Sequence, residues 1–176
     1  MEEIKSQPKI VYLSLGSNLG DRIIVLKRSL ELIAETIGEI FKCSSIYENP
    51  PVGFESNDLF CNMCLAVSTV LSPIEILNKT QEIEVLLGRK SKTMHNVFES
   101  RVIDIDLILI PDLIINTERL RLPHPEYLKR NFVLIPLNEI ASDVIDPVLQ
   151  LSIHSILIQC LDISKLFIVE KPFLLV

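Results

Sequence analysis

Two aspartates set two residues apart, Asp104 and Asp106 in Arg101-Val102-Ile103-Asp104-Ile105-Asp106-Leu107, are the residues of this chain best suited to chemistry. The stretch is of strand type, and on a strand positions two apart point to the same side. Both carboxylates therefore project from one face, while Ile103, Ile105, Leu107 and Leu109 project from the other. Aligned carboxylates in apolar surroundings repel each other and lose hydration. A hard divalent cation resolves that conflict, and Mg²⁺ typically takes one or two carboxylates together with substrate phosphates. The plainer alternative is a solvated, half-exposed strand, although strand interiors disfavour Asp.

The charge distribution favours the metal. Residues 89–130 hold eight Lys or Arg (Arg89, Lys90, Lys92, Arg101, Arg119, Arg121, Lys129, Arg130) against six acids, whereas the rest of the chain holds nine against seventeen. Cations thus gather around the paired aspartates, the mixture that a metal-bound polyphosphate requires. No G-x-x-x-x-G-K-[ST] and no G-x-G-x-x-G occurs among only five glycines, so side chains and metal would have to hold any nucleotide. The basic loops 89–101 and 119–130 suit that role. His124, between Pro123 and Pro125, is either a phosphate-facing imidazole or a turn histidine. His95 is a candidate by position, and His154 reads as structural. A second constellation is organic in character. The stiff loop Asn49-Pro50-Pro51-Val52-Gly53 precedes Phe60 and Asn62, which share a strand face, and Phe132 follows Arg130. Two aromatics and an amide can stack on and hydrogen-bond a flat heterocycle, or the two rings are plain core residues.

Ten elements must position these groups. Ile10–Leu15 is a strand, closed by Gly16-Ser17-Asn18-Leu19-Gly20. Asp21 caps a helix whose apolar positions Ile23, Leu26, Leu30, Ile33, Ala34 and Ile37 keep a 3.6-residue period, with Gly38 placed for a left-handed C-terminal cap. Strands follow at Ile40–Tyr47 and Phe60–Thr69, separated by a loop over Glu48–Asn57. Ser72-Pro73-Ile74-Glu75 is a capping box with proline at the first helical position, and Gly88 stops that helix. Residues 89–100 form a long loop. Val102–Ile110 is the fourth strand, turned by Pro111-Asp112 into Leu113–Asn116, and shorter helices fill Glu126–Lys129, Asn138–Ser142 and Ser152–Leu161. The order βαββαβ predicts an α+β, ferredoxin-like sandwich with an additional hairpin, short C-terminal helices, and two helices covering one face of the sheet.

At 176 residues, 48% hydrophobic and 23% charged, the chain suits one packed domain. A net charge of −6 argues against a partner held by nucleic-acid phosphates. No apolar run reaches the roughly 18 residues of a membrane span, and Met1-Glu2-Glu3-Ile4-Lys5 lacks the order of a signal peptide, so a cytoplasmic protein is expected. Cys61 and Cys64 have C-x-x-C spacing but fall on a strand, where their side chains face opposite ways, so they read as buried structural thiols.

Several stretches together resemble the 6-hydroxymethyl-7,8-dihydropterin pyrophosphokinase family, abbreviated HPPK. They are residues 15–21 (LGSNLGD), 47–53 (YENPPVG), 60–62 (FCN), 81–84 (QEIE) with Gly88-Arg89, 101–107 (RVIDIDL), 116–120 (NTERL), 122–125 (LPHP) and 132–137 (FVLIPL), in family order over about residues 10–165. The resemblance implies a kinase-type transferase of folate biosynthesis that moves pyrophosphate from ATP to the pterin hydroxymethyl group and releases AMP. It implies two Mg²⁺ ions on Asp104 and Asp106, with ATP as co-substrate. Asn62 would read the pterin edge, Phe60 and Phe132 would sandwich its ring, and Asn49, Pro51 and Val52 would complete the pocket. Gln81, Glu84, Arg89, Arg101, Leu107 through its backbone, Arg119, Arg121, His124 and Arg130 match ATP-binding positions.

The chain departs from the family in residues 89–101. The family has a basic residue and Trp, then Gly-Pro, before the arginine matching Arg101. Here the stretch reads His95-Asn96-Val97-Phe98-Glu99-Ser100-Arg101, with no Trp in the chain. Lys90, Lys92 and His95 are the expected substitutes for missing guanidinium groups, and Lys92 and His95 join Arg101, Asp104 and Asp106 as catalytic candidates. Residues 1–165 form the expected kinase domain. The apolar tail 166–176 looks like the strand that opens dihydropteroate synthase, so it is either a short tail strand or a junction to such a fused or contacting partner. Two other classes fit parts of the pattern: a palm-like nucleotidyltransferase, which would need a nucleic-acid surface, and a scaffolding domain that keeps only the fold.

Overall fold

A computed structural model describes residues 7–50, 59–89 and 101–171. The first strand, β1 (Lys9–Ser17), leads into helix α1 (Arg22–Thr36), whose N-terminus is capped as expected by Asp21, its carboxylate accepting from the Ile24 N–H at 3.1 Å. Strands β2 (Glu39–Cys43), β3 (Ile46–Asn49) and β4 (Phe60–Thr69) follow. Helix α2 (Pro73–Leu86) opens on the expected Ser72/Glu75 capping box, and β5 (Asp104–Leu109) completes the βαββαβ order. The sheet runs β5-β1-β4-β3 with a last edge strand on β3, with β2 also on β4 and every pair antiparallel. A small hairpin of β6 (Ile115–Asn116) and β7 (Arg121–Leu122) leads to a 3-10 turn at Tyr127–Lys129, then to α3 (Asn131–Ala141), α4 (Ile153–Gln159) and the edge strand β8 (Phe167–Glu170).

Five expectations need correction. The single strand 40–47 is two strands, because serine hydroxyls take over the ladder at the break: the Ser44 Oγ accepts from Cys64 N–H and donates to the Ser45 carbonyl. Gly38 does not adopt a left-handed conformation. Its lack of a side chain answers a close approach instead, since a Cβ there would lie 2.2 Å from the Ser68 carbonyl. The strand Leu113–Asn116 shrinks to its last two residues. The helix expected at Asn138–Ser142 is the end of a longer one that starts at Asn131 and absorbs Pro136, a residue that normally argues against helix interior. Pro136 is buried, so packing of that helix on the sheet outweighs the lost hydrogen bond.

The fifth correction bears on the site. The sheet is covered on both faces. Val11, Leu13, Leu15, Met63, Leu65, Ile103, Ile105 and Leu107 pack beneath α1 and α2 with Leu26, Ile33, Ile76 and Ile83. Tyr12, Cys64, Ala66, Ile108 and Leu109 pack on the other side with Val133, Leu134 and Leu137 of α3 and Ile153 and Ile156 of α4. Leu109 thus lies on the aspartate side, not opposite it. A register shift where Tyr12 pairs with Leu109 but Leu13 pairs with Leu107 inserts an extra residue and reverses the alternation. Cys61 and Cys64 fall in the two different cores, as the strand spacing requires.

Candidate active site

The face beneath α3 is apolar over only half its length. Along the central strands the same alternating positions carry Asp104 and Asp106 on β5, Ser14 and Gly16 on β1, Asn62 and Phe60 on β4, and Tyr47 and Asn49 on β3, with the Tyr47 hydroxyl donating to Glu139 of α3 at 2.9 Å. Register aligns them in rows. Asp104 pairs with Gly16, Gly16 with Asn62, and Asn62 with Tyr47. Asp106 pairs with Ser14, and Phe60 with Asn49. Strands lie about 4.8 Å apart, so the Asp104 and Asn62 backbones stand roughly 10 Å apart with a glycine between them. Gly16 leaves that floor bare: a Cβ on it would come within 2.8 Å of Asn62 Oδ1.

At the β5 end the charges are organised around Asp104. Arg89 Nη1 lies 2.8 Å from its Oδ1, and Arg101 Nη1 lies 2.7 Å from its Oδ2. Arg89 also reaches the buried Glu84 of α2 at 2.6 Å, and Glu84 Oε1 accepts from Ile105 N–H at 2.8 Å. Asn18 fixes the entry to β5, since its Oδ1 accepts from Arg101 N–H at 2.6 Å and its own N–H donates to the Arg101 carbonyl. Loss of hydration, reinforced by the charge of Asp104, pushes the Asp106 carboxyl up to about 7. Burial pushes Glu84 to about 7 as well, against the Ile105 N–H and Arg89, which favour its anion. Among the described residues no group of three or more His, Cys, Asp and Glu side chains gathers to cage a metal. Two hard oxygen ligands on one face, one of them costly to ionise alone, nonetheless fit Mg²⁺, which completes its shell with water and phosphate.

Basic groups line the approach. Arg130 stands at the head of α3 with its guanidinium 5.8 Å over the Phe132 ring. His124 N–H donates to the Ile108 carbonyl at 2.7 Å, and its Nδ1 accepts from Glu126 N–H at 3.3 Å. Burial, then the Arg130 charge, hold this imidazole below its usual value. Arg119 donates to Asn78 of α2, on the same helix as the part-buried Gln81, while Arg121 is exposed on β7. Leu107 packs in the α1/α2 core, which leaves only its backbone to face a ligand.

At the β3–β4 end, Asn62 Nδ2 donates to Asn49 Oδ1 at 2.7 Å, and Asn49 Nδ2 donates to the Pro50 carbonyl at 2.7 Å. Phe60 is half-buried in the neighbouring row. Pro51, Val52, Lys90, Lys92 and His95 lie outside the described residues. Gly16 and Asn18 belong to the site without having been singled out from the sequence. The available signal was a glycine inside an apolar strand run and an Asn directly after it.

A model of the family described as 7,8-dihydro-6-hydroxymethylpterin-pyrophosphokinase (HPPK) matches residues 12–142. The chain is 44% identical over 135 residues to a 2-amino-4-hydroxy-6-hydroxymethyldihydropteridine pyrophosphokinase of Porphyromonas gingivalis, covering 75% of this chain and 90% of that one. It is 42% identical over 138 residues to the protein of the same name from Aquifex aeolicus, covering 78% and 84%. Among solved structures, a triple mutant of Plasmodium falciparum HPPK-DHPS has the same fold, with a TM-score of 0.73 at 18% identity over 89% of this chain. The chain spans 45% of that longer protein.

Proposed function

Because the chain belongs to the 7,8-dihydro-6-hydroxymethylpterin-pyrophosphokinase family, we propose that it transfers pyrophosphate from ATP to the hydroxymethyl oxygen of 6-hydroxymethyl-7,8-dihydropterin in folate biosynthesis. The observation that carries this reading to particular residues is the row Asp104–Gly16–Asn62: an acid end and an amide end on one sheet face, separated by a bare floor. In the reaction the hydroxymethyl oxygen attacks the β-phosphorus, the bond from that phosphorus to the α–β bridging oxygen breaks, AMP leaves, and the hydroxyl proton is released. Such a transfer needs alignment and charge neutralisation more than a strong base.

Asp104 and Asp106 are the residues to hold Mg²⁺, two ions in this reading, and the metal when bound neutralises charge on the transferring phosphates. Arg89 and Arg101 pair with Asp104, and triphosphate oxygens offer them further acceptors. Arg130 extends the cationic wall toward Phe132, His124 adds an imidazole held in its neutral form, and Arg119, Arg121 and Gln81 lie along the α2–β7 side. Glu84 anchors Arg89, and Leu107 can contribute its backbone. Asn62, Phe60 and Phe132 take the flat ring by hydrogen bonding and stacking. Pro51, Val52, Lys92 and His95 remain candidates by sequence position. ATP as co-substrate suits a cytoplasmic enzyme, and no described helix is long and apolar enough to cross a membrane. Family membership leaves no support for a nucleotidyltransferase or a scaffold.

We assign residues 1–165 to the kinase domain and 166–176 to a junction, with dihydropteroate synthase as the partner. Its support is the edge strand β8, whose Phe167, Ile168 and Val169 stay largely exposed although the strand pairs with β3. Reading the codons downstream in the source gene tests this part. The activity is tested by AMP release from Mg-ATP with and without the pterin. Pterin-dependent AMP is expected, and ADP formation or AMP independent of the pterin would overturn the reading.

A further inference from the structure

Asn49 and Asn62 are 2% and 3% exposed, so their amides sit where an unpaired polar group is costly. Their hydrogen bonds have a direction that can be followed link by link. The Pro50 carbonyl only accepts, so the Asn49 amide must turn its nitrogen toward it. Asn49 Oδ1 then faces Asn62 and can only accept, which turns the Asn62 nitrogen toward Asn49. Asn62 Oδ1 is left on the opposite side, over Gly16, on the floor between the amide end and Asp104. Among the described residues nothing donates a hydrogen bond to it.

We infer that Asn49 is a positioning residue: through the relay Pro50 carbonyl–Asn49–Asn62 it fixes the orientation of the Asn62 amide, so that Asn62 presents an oxygen acceptor to an N–H donor of the flat heterocycle. Asn49 itself acts from behind Asn62. A site that hydrogen-bonds its substrate with a fixed acceptor rejects rings lacking the donor, and a freely turning amide loses that discrimination. Gly16 is the second part of the device, because a side chain there would push Asn62 Oδ1 out of place. This inference rests on the reading of Asn62 as a pterin contact.

The test is a double-mutant cycle read by the KM for 6-hydroxymethyl-7,8-dihydropterin at saturating Mg-ATP, and by calorimetric binding of the pterin with a non-hydrolysable ATP analogue. Asn49→Ala should raise that KM about tenfold with less than a threefold change in kcat, about what one misdirected hydrogen bond costs. In an Asn62→Ala background the same change should have no further effect beyond about twofold, because Asn49 acts only through Asn62. Asn49→Asp keeps an acceptor facing Asn62 but sets its second oxygen against the Pro50 carbonyl, which cannot donate, so it should not restore the KM. If Asn49→Ala fails to fold, Asn49→Leu keeps the volume and removes both polar groups. An unchanged KM in the folded loss variant, additive losses in the cycle, or a wild-type KM in Asn49→Asp would overturn the relay. A wild-type KM in Asn62→Ala would instead sink the reading of Asn62 as a pterin contact, so the two failures are distinguishable.

Discussion

The two ends of the floor row share one sheet face and one neighbouring strand, yet opposite means hold them. At the β5 end Asp104 is satisfied by charge: two guanidinium groups contact its two oxygens, and Glu84 shares one of them. Such contacts have strength but little directional preference, and phosphate oxygens or a cation can replace either partner. At the β3–β4 end the Asn49–Asn62 contact involves no charge, although Tyr47 beside it in the row donates to the Glu139 carboxylate. Two neutral amides and a carbonyl fix one another by donor and acceptor direction, and nothing carried by a polyphosphate competes with them. In the proposed reading the acid end exchanges partners during turnover and the amide end stays as it is, as phosphate transfer and ring recognition respectively require.

The comparison breaks most readily at the acid end. Asp104→Ala or Asp106→Ala should lower turnover at least about a hundredfold, the scale of losing one strong transition-state contact. A loss of tenfold or less in the AMP assay would mean that the carboxylates are ordinary solvated residues. At the amide end, Asn62→Ala should raise the pterin KM about tenfold or more while the KM for ATP stays within about twofold, since an unpaired donor on the ring costs on the order of 1–3 kcal/mol. Equal changes in both constants would erase the division into two ends.

Much of this arrangement was legible in the residues. Period-two alternation put Asp104 and Asp106 on one face, and the capping signals at Asp21 and Ser72 placed both helix starts. Register was not legible. That Gly16 separates Asp104 from Asn62 depends on which strands pair and at what offset, and only long-range pairing fixes that. The bulge that turns Leu109 toward α3 is invisible for the same reason, since Ile108 and Leu109 are equally apolar. The full length of α3 was hidden by Pro136, where local propensity and tertiary packing disagree and packing wins. The Asn49–Asn62 contact joins residues thirteen apart on the paired strands β3 and β4, whose register the sequence does not reveal.

A smaller effect separates the ends by pH. Folding lifts Asp106 and Glu84 to about 7, whereas unfolded carboxyls titrate near about 4. Between these values the folded protein holds protons that the unfolded chain has released. Stability of the ligand-free protein from this source is therefore greatest below about pH 4 and is lost as the pH rises toward about 7. Melting curves of the wild type and Asp106→Asn from pH 4.5 to 8 check this. The wild type should lose several degrees relative to the variant across that span, and parallel curves would show that Asp106 carries no such load.

The smallest effect on catalysis is expected where neither end is touched. Tyr127 and Asp146 are each 1% exposed, and the Asp146 carboxylate ties the 3-10 turn to the α3–α4 connection. One oxygen accepts from the N–H groups of Val148 and Leu149, and the other accepts from the Tyr127 hydroxyl. Tyr127→Phe keeps the ring in the core and leaves the second oxygen without its partner, a cost on the order of 1–3 kcal/mol. For a chain of this size each kcal/mol moves the midpoint by about 2–4 °C, so melting should fall by several degrees. Tyr127 lies between His124 and Arg130, and its turn carries the chain from the hairpin to the head of α3. If the site is held by its own two sets of contacts, both KM values and kcat should stay within about twofold below the transition. A pterin KM that rises with the lost hydroxyl would mean that Arg130 and Phe132 are positioned by this buried pair, and the amide end would then extend through the second core.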